Sequence, residues 1–123
     1  MKKYIIYSLL FIGLAFFACK KNQLGGKSSI KGAVMHHSKP IAYATVFIKY
    51  NAKEFPGTDT TLYDAKVKAD VNGNYIIKCY KGDYYLFGYG FDYALPPPYV
   101  VKGGTGVSIR NHENIEIEVA VTE

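Results

Sequence analysis

KADVNGNYIIKCYKGDYYLFGYGFDY, residues 68–93, carries a clear strand pattern. Apolar and polar side chains alternate along it with a period of two, which is typical of strands that bury one face. The dipeptide Asn72-Gly73 accommodates the positive φ angles of a tight β-turn. The stretch therefore predicts a hairpin that turns at Asn72-Gly73, followed, after a second turn at residues 81–83, by a strand from Tyr84 to Phe91.

The same alternation extends outward to both sides of this stretch, and no segment of comparable length has a helical stripe. The predicted strands cover residues 29–35, 41–50, 63–70, 74–80, 84–91, 99–102 or 106–110, and 115–121. Residues 51–62, which contain Pro56-Gly57, are predicted to form a surface loop. About seven short strands in one small domain predict an all-β fold, a two-sheet Greek-key sandwich.

The first 19 residues differ in character from the rest of the chain. Lys2 and Lys3 are followed by an apolar run from Tyr4 to Ala18, and Cys19 comes directly after that run. This layout resembles a bacterial lipoprotein signal, in which the cysteine becomes the lipid-bearing N-terminus after cleavage. The run has 15 residues, whereas a membrane-spanning helix needs about 20, so an uncleaved N-terminal anchor is the less favoured alternative.

These patterns divide the chain into three parts. We predict a signal peptide at residues 1–18, a lipidated N-terminus and linker at 19–28, and one β-sandwich domain at 29–123. A lipid on Cys19 leaves Cys79 without a partner in the chain, so we expect Cys79 to be a buried core thiol.

The charge of the chain gives no support for a nucleic-acid partner. The formal net charge of +5 falls to +3 when Lys2 and Lys3 leave with the signal peptide, and the remaining basic residues do not gather on one element. Lys20, Lys21 and Lys27 follow the lipid site, where they either contact anionic headgroups or form a solvated tether. The partner that we expect is therefore the membrane, to which the lipid on Cys19 anchors the protein.

Four motifs together resemble carboxypeptidase regulatory-like domains, which have a transthyretin-like (prealbumin-like) sandwich. They are KGAV at 31–34, PIAYATV at 40–46, ADVNGNY at 69–75 and KGDYYL at 81–86. The closing motifs, VKGG at 101–104 and NIEIEVAV at 114–121, are similar to those of small Bacteroidetes lipoproteins that carry such a domain alone. The resemblance covers residues 29–122, and it implies a noncatalytic accessory module without a cofactor.

Three histidines suggest a competing interpretation, a small hydrolase or metal-dependent enzyme that uses His36, His37 and His112. Adjacent residues of a strand point to opposite faces, so His36 and His37 can share an ion only if the backbone turns there. A turn is predicted from Ser38 onward, but no Cys or His pair has a recognised zinc spacing. We therefore predict no metal site and no enzymatic activity.

One strand carries a stripe of aromatic side chains. Tyr85, Phe87, Tyr89, Phe91 and Tyr93 share one parity, and we call these five residues the aromatic stripe. If the resemblance places Tyr84 and Leu86 toward the core, the stripe lies on the outer face and is a candidate contact surface for an envelope protein or a glycan. The alternative is that residues 96–99 and the neighbouring strands fold over the stripe and bury it.

The sequence as a whole predicts a membrane-anchored lipoprotein whose β-sandwich is a noncatalytic binding or structural module at the bacterial cell envelope. No acidic cluster of the kind associated with surface display follows Cys19, so a periplasm-facing position at the outer membrane is favoured. One specific form of this prediction is an accessory component of an outer-membrane uptake complex.

Overall fold

A computed structural model describes residues 20–123 of the chain. The predicted signal peptide at 1–18 and the predicted lipidation site Cys19 lie outside the described residues. Within residues 20–123, no helix has the length and the apolar character that crossing a bilayer requires.

Nine strands and one short 3-10 helix form the described part of the chain. The strands are β1 (Leu24–His36), β2 (Lys39–Pro40), β3 (Thr45–Tyr50), β4 (Ala65–Lys68), β5 (Asn74–Cys79), β6 (Gly82–Phe91), β7 (Val100–Ile109), β8 (Asn114–Glu116) and β9 (Val119–Ala120), and the 3-10 helix covers Thr60–Leu62. The count exceeds the predicted seven because β2 is an additional two-residue strand and because the predicted last strand is interrupted between β8 and β9.

The strands form two sheets that pack face to face. In the first sheet, β1 pairs with β2 and β5 in antiparallel fashion and with β8 and β9 in parallel fashion. The second sheet has the order β4-β3-β6-β7 and is antiparallel throughout. The core between them contains fully buried side chains of both sheets, including Ile30, Val34, Ile48, Leu86 and Val101. The predicted all-β, two-sheet sandwich is confirmed.

The turn at Asn72-Gly73 is present, but the hairpin predicted around it is wrong. Gly73 has φ +76 and donates its N–H to the carbonyl of Asp70 at 3.0 Å. The strands on either side then separate, because β4 pairs with β3 in the second sheet and β5 pairs with β1 in the first sheet. The Asn-Gly turn is therefore a corner between the two sheets.

The first strand starts within the predicted linker at 19–28. β1 begins at Leu24, and Gly25 and Gly26 adopt φ values of +91 and +93 where the pairing with β5 shifts register. Positive φ values of this kind suit glycine and allow the strand to bulge and continue. The chain thus joins the sandwich earlier than the predicted boundary at residue 29.

The C-terminal segment joins the two sheets along one edge. After β8 and β9 pair with β1, Thr122 and Lys102 of β7 exchange backbone hydrogen bonds of 2.8 and 2.9 Å. This connection brings Glu123 to the end of the sandwich where β1 finishes at His36. The same end carries the last residues of β6 and the loop that follows it.

Candidate functional site

β6 places the aromatic stripe on the outer face of the second sheet. Tyr84 and Leu86, the residues of opposite parity, are fully buried in the core. The predicted inward orientation of these two residues is therefore observed, and the stripe points away from the first sheet.

A loop covers the first half of the stripe. Tyr85 and Phe87 are buried, because Phe55 packs on both rings at centroid distances of 5.8 and 5.7 Å and Tyr63 stacks on Phe87 at 5.6 Å. Burial raises the pKa of Tyr63 to about 12. The covering residues come from the loop between β3 and β4, whereas the alternative considered above assigned this role to residues 96–99 and the neighbouring strands. Tyr85 and Phe87 are not part of an exposed surface.

The second half of the stripe is open. Phe91 and Tyr93 keep 45% and 75% of their surface exposed, and their rings lie nearly parallel, 17° apart, at a centroid distance of 6.4 Å. Tyr89, which is half-buried, meets Phe91 edge to face, and Tyr99 supports Tyr93 at 5.1 Å. Tyr99, in the loop after β6, thus packs against Tyr93 and supports its ring at the open surface.

A cleft of about 460 Å³ runs beside this open surface. Its lining includes the aromatic residues Tyr43, Phe91 and Tyr93, and Lys39 and Lys68 contribute charged groups. The volume falls within the range of small-molecule binding sites, which combine apolar walls with a few polar groups. We call Tyr43, Phe91 and Tyr93 the aromatic platform.

Tyr43 is a residue of this site that sequence reasoning missed. Its side chain is 59% exposed, and its backbone has φ +58, a left-handed conformation that is uncommon for a bulky residue. The turn is held by a hydrogen bond from the Tyr43 N–H to the Asp70 carbonyl, 3.0 Å long. The sequence contains one local signal for Tyr43: it is a large residue with an alanine on each side, Ala42 and Ala44. Backbone strain at an exposed aromatic residue points to a functional position.

Asp92 fixes the base of the platform. It lies between Phe91 and Tyr93 in the sequence and also borders the cleft, but unlike those two residues it is buried. Its carboxylate accepts hydrogen bonds from Lys39 Nζ at 2.7 Å, from His36 Nδ1 at 2.8 Å and from the backbone N–H of Ala94 at 3.0 Å. The Lys39 ammonium above all, and then His36, hold the pKa of Asp92 well below its usual range. The ionised carboxylate thereby ties β2 and the end of β1 to the end of β6.

His36 is buried between two carboxylates. Nδ1 contacts Asp92, and Nε2 lies 2.6 Å from Glu123 Oε2. The hydrogen bond with Asp92 is the main cause that raises the pKa of His36, and the contact with Glu123 adds to it against the effect of desolvation. His37 lies beside it, with ring centroids 4.3 Å apart. The structure therefore brings two of the three predicted histidines together.

His112 does not join them, so the set of three histidines considered above is wrong. Ser28, next to which His112 lies, hydrogen-bonds the Arg110 carbonyl at 2.6 Å. Ser28 and His36 are eight residue steps apart along β1, a distance of about 26 Å at 3.3 Å per step. His112 and the pair His36-His37 thus occupy opposite ends of the sandwich.

Cys79 is fully buried in β5 among core side chains. Desolvation raises the pKa of its thiol. A buried thiol with a raised pKa is a poor nucleophile, so Cys79 serves packing, as expected.

No family model matches the chain, and no curated protein matches it significantly. Among solved structures, the chain is similar to a candidate carbohydrate-binding protein from Pseudomonas aeruginosa, with 14% identity and a TM-score of 0.54 over 85% of this chain and 93% of the other. It also aligns with a DUF3823 family protein from Parabacteroides merdae, with 13% identity and a TM-score of 0.46 over 80% of this chain and 47% of the other, so it spans about half of that protein. The first likeness supports the β-sandwich fold. The carboxypeptidase regulatory-like family stays a prediction.

Proposed function

We propose that the protein is a lipid-anchored, noncatalytic module that binds a glycan through the aromatic platform. The observation that carries this proposal is the pair of accessible, nearly parallel rings of Phe91 and Tyr93. One face of a sugar ring is made of C–H groups, and a flat, rigid aromatic surface buries such a face at little cost in conformational entropy. Aromatic area left open on a small domain is a mark of a contact site.

The polar groups of the cleft suit the other faces of a sugar. Lys39 uses its ammonium to bind Asp92 but is half-exposed, and an ammonium has three N–H donors, so it retains donors for ligand hydroxyls. Lys68 and the Tyr43 side chain border the same space. The fold shared with a candidate carbohydrate-binding protein is in keeping with this proposal.

A lipid on Cys19 would place the platform away from the membrane. The tether between Cys19 and β1 is only four residues long, and the regular part of β1, from Ser28 to His36, then runs about 26 Å along the sandwich. His36 contacts Asp92 at the base of the platform. An outer-membrane lipoprotein that faces the periplasm would therefore present its glycan site at the far end, a suitable arrangement for an accessory part of an uptake complex.

Glycan binding is tested on a glycan array probed with the purified protein, followed by titration of the glycan that gives the strongest signal. Replacing Phe91 or Tyr93 with alanine is expected to weaken binding about tenfold each, because each ring supplies roughly 1.4 kcal/mol of stacking and burial. The matched control is Ile76→Ala, which removes an exposed apolar side chain from β5 in the other sheet.

Equal affinity of the Phe91→Ala, Tyr93→Ala and Ile76→Ala proteins would reject the platform as the glycan site. If the protein binds no glycan on the array but binds one envelope protein through Phe91 and Tyr93, the ligand of the platform is a protein and the glycan proposal is wrong.

The anchor is tested by fractionating cells that express the full chain with Cys19→Ser. The protein with Cys19 intact is expected in the membrane fraction, because its lipid supplies the membrane affinity. The Cys19→Ser variant is expected in the soluble envelope fraction. Cys79→Ala is the control, since it removes the other cysteine and should leave the protein with the membrane. A Cys19→Ser protein that still sediments completely with membranes would refute the anchor.

A further inference from the structure

Three potential metal ligands meet at the end of the sandwich where β1 finishes. One nitrogen of His36, one nitrogen of His37 and one carboxylate oxygen of Glu123 lie within 4.8 Å of one another. His36 is buried, whereas His37 and Glu123 are exposed. The cluster therefore has one fixed ligand and two side chains that are free to adjust.

Asp92 orients the buried histidine for coordination. It engages Nδ1 of His36 at 2.8 Å, which leaves Nε2 to face Glu123, 2.6 Å away. Histidines that bind metal ions usually donate their other ring N–H to a carboxylate or a carbonyl, and this partner fixes the tautomer and increases ligand basicity. The carboxylate itself is held by Lys39 and by the Ala94 N–H, so the orientation of His36 is well supported.

The backbone turns so that His37 can join His36. His37 and Ser38 form the two-residue connection between β1 and β2, and both have positive φ, +48 and +67. Such turns favour Asn-Gly and related pairs, so histidine and serine adopt this conformation at an energetic cost. In a continuous strand, the two histidines would point to opposite faces. Because the chain turns at His37, both side chains lie on the same side.

We infer that His36, His37 and Glu123 bind one divalent transition-metal ion of the Zn²⁺ class. Two imidazoles and one carboxylate form a ligand set that zinc uses, with the fourth position left to water or another ligand. At bond lengths near 2.0 to 2.1 Å, tetrahedral ligand atoms are separated by about 3.4 Å. The 2.6 Å contact between His36 and Glu123 must open slightly, and rotations of the two exposed side chains, His37 and Glu123, bring the ligand atoms to this spacing.

The ion would connect the end of β1 with the C-terminal segment directly, and it would connect both with Asp92 through His36. Glu123 follows β9 and His36 ends β1, and Asp92 behind His36 lies between Phe91, the last residue of β6, and Tyr93 in the loop that follows. Zinc would therefore replace the hydrogen bond between His36 and Glu123 with stronger bonds at the base of the platform. The inference does not depend on glycan binding, because its ligands are distinct from Tyr43, Phe91 and Tyr93.

Zinc binding is tested by calorimetric titration of the chelator-treated full chain, with Co²⁺ as a spectroscopic probe of tetrahedral coordination. We expect one ion per chain and visible Co²⁺ bands that Zn²⁺ removes. His37→Ala and Glu123→Gln should each weaken binding at least tenfold and shift or abolish the Co²⁺ bands. Both positions are exposed, so the variants should fold, which unchanged circular dichroism would verify.

His112→Ala is the matched control, since it removes a histidine at the opposite end of the sandwich and should leave affinity unchanged. Absence of heat and of Co²⁺ bands would overturn the inference. So would binding that survives both His37→Ala and Glu123→Gln, or that is lost with His112→Ala, since either result would place the ion elsewhere.

Discussion

Replacing Gly32 with alanine is expected to destabilise the domain by about 3 kcal/mol, at the upper end of what overpacking costs. Gly32 lies in the middle of β1, next to the connection between β8 and β9, which both pair with β1 in parallel fashion. A Cβ at this position would lie 1.9 Å from the carbonyl oxygen of Ile117 and 2.7 Å from its carbonyl carbon. Both atoms belong to the backbone, so no change of side-chain rotamer relieves the clash.

The segment between β8 and β9 has little freedom to move aside. The Ile117 N–H donates to the Lys31 carbonyl at 2.8 Å, and the Ile117 carbonyl accepts the hydroxyl of the buried residue Tyr75. A shift that accommodates the new methyl group would break these bonds and displace the strands that pair with β1. We expect the clash to break the parallel pairing of the C-terminal segment, because that pairing involves only a few residues in β8 and β9.

Thermal unfolding followed by circular dichroism measures the effect. A loss of about 3 kcal/mol corresponds to a fall in Tm of roughly 15 °C for a domain of this size. Lys31→Ala is the matched control, since it truncates the exposed neighbour in the same strand and should change stability by less than about 0.5 kcal/mol. A Tm for Gly32→Ala that equals that of Lys31→Ala would mean that the Ile117 backbone does not pack against Gly32 as described.

The alternation of side chains predicted which faces are buried, but it could not predict which strands pair. Tyr84 and Leu86 both face the core, because side chains two residues apart in an extended chain always point to the same face. The segments on either side of Asn72-Gly73 have the same alternation whether they form a hairpin or a corner between two sheets. Only the competition among all strands for partners assigns β4 to β3 and β5 to β1.

The candidate site was predictable to the same limited extent. The parity of the aromatic stripe was evident, yet which half stays open depends on Phe55 and Tyr63, which lie in a loop without periodicity. Asp92 shares the parity of the buried residues, and a charged residue with that parity was an indication of a buried polar contact. Its partner His36 is 56 residues away, and Glu123 is 87 residues from His36, so nothing local connects them.

Replacing Tyr84 with alanine is expected to cost about 4 kcal/mol, as is usual when a large buried aromatic side chain is truncated. Tyr84 is fully buried, and its ring meets Tyr50 edge to face at 6.0 Å. Its hydroxyl lies 2.7 Å from the Tyr80 carbonyl and 3.0 Å from the Gln23 carbonyl. The residue thus fills the core and also holds the segment that leads from the predicted lipid site into β1.

Tyr84→Phe separates these two roles, because it keeps the ring and removes the hydroxyl. Gln23 still accepts the Tyr80 N–H at 2.9 Å, but the Tyr80 carbonyl loses its side-chain donor, which should cost about 1 kcal/mol. Chemical denaturation measures both variants, and Tyr93→Phe, which removes an exposed hydroxyl, should leave stability nearly unchanged.

Amide hydrogen exchange then shows where the hydroxyl acts. We expect exchange in Tyr84→Phe to accelerate mainly in residues 22–27 and at Tyr80, because opening of this segment no longer breaks a bond to the core. The strands around the platform, at the opposite end of β1, should exchange as before. Uniform acceleration over the whole sandwich would show instead that the hydroxyl stabilises the fold globally, and that the tether segment is held by the β1–β5 pairing alone.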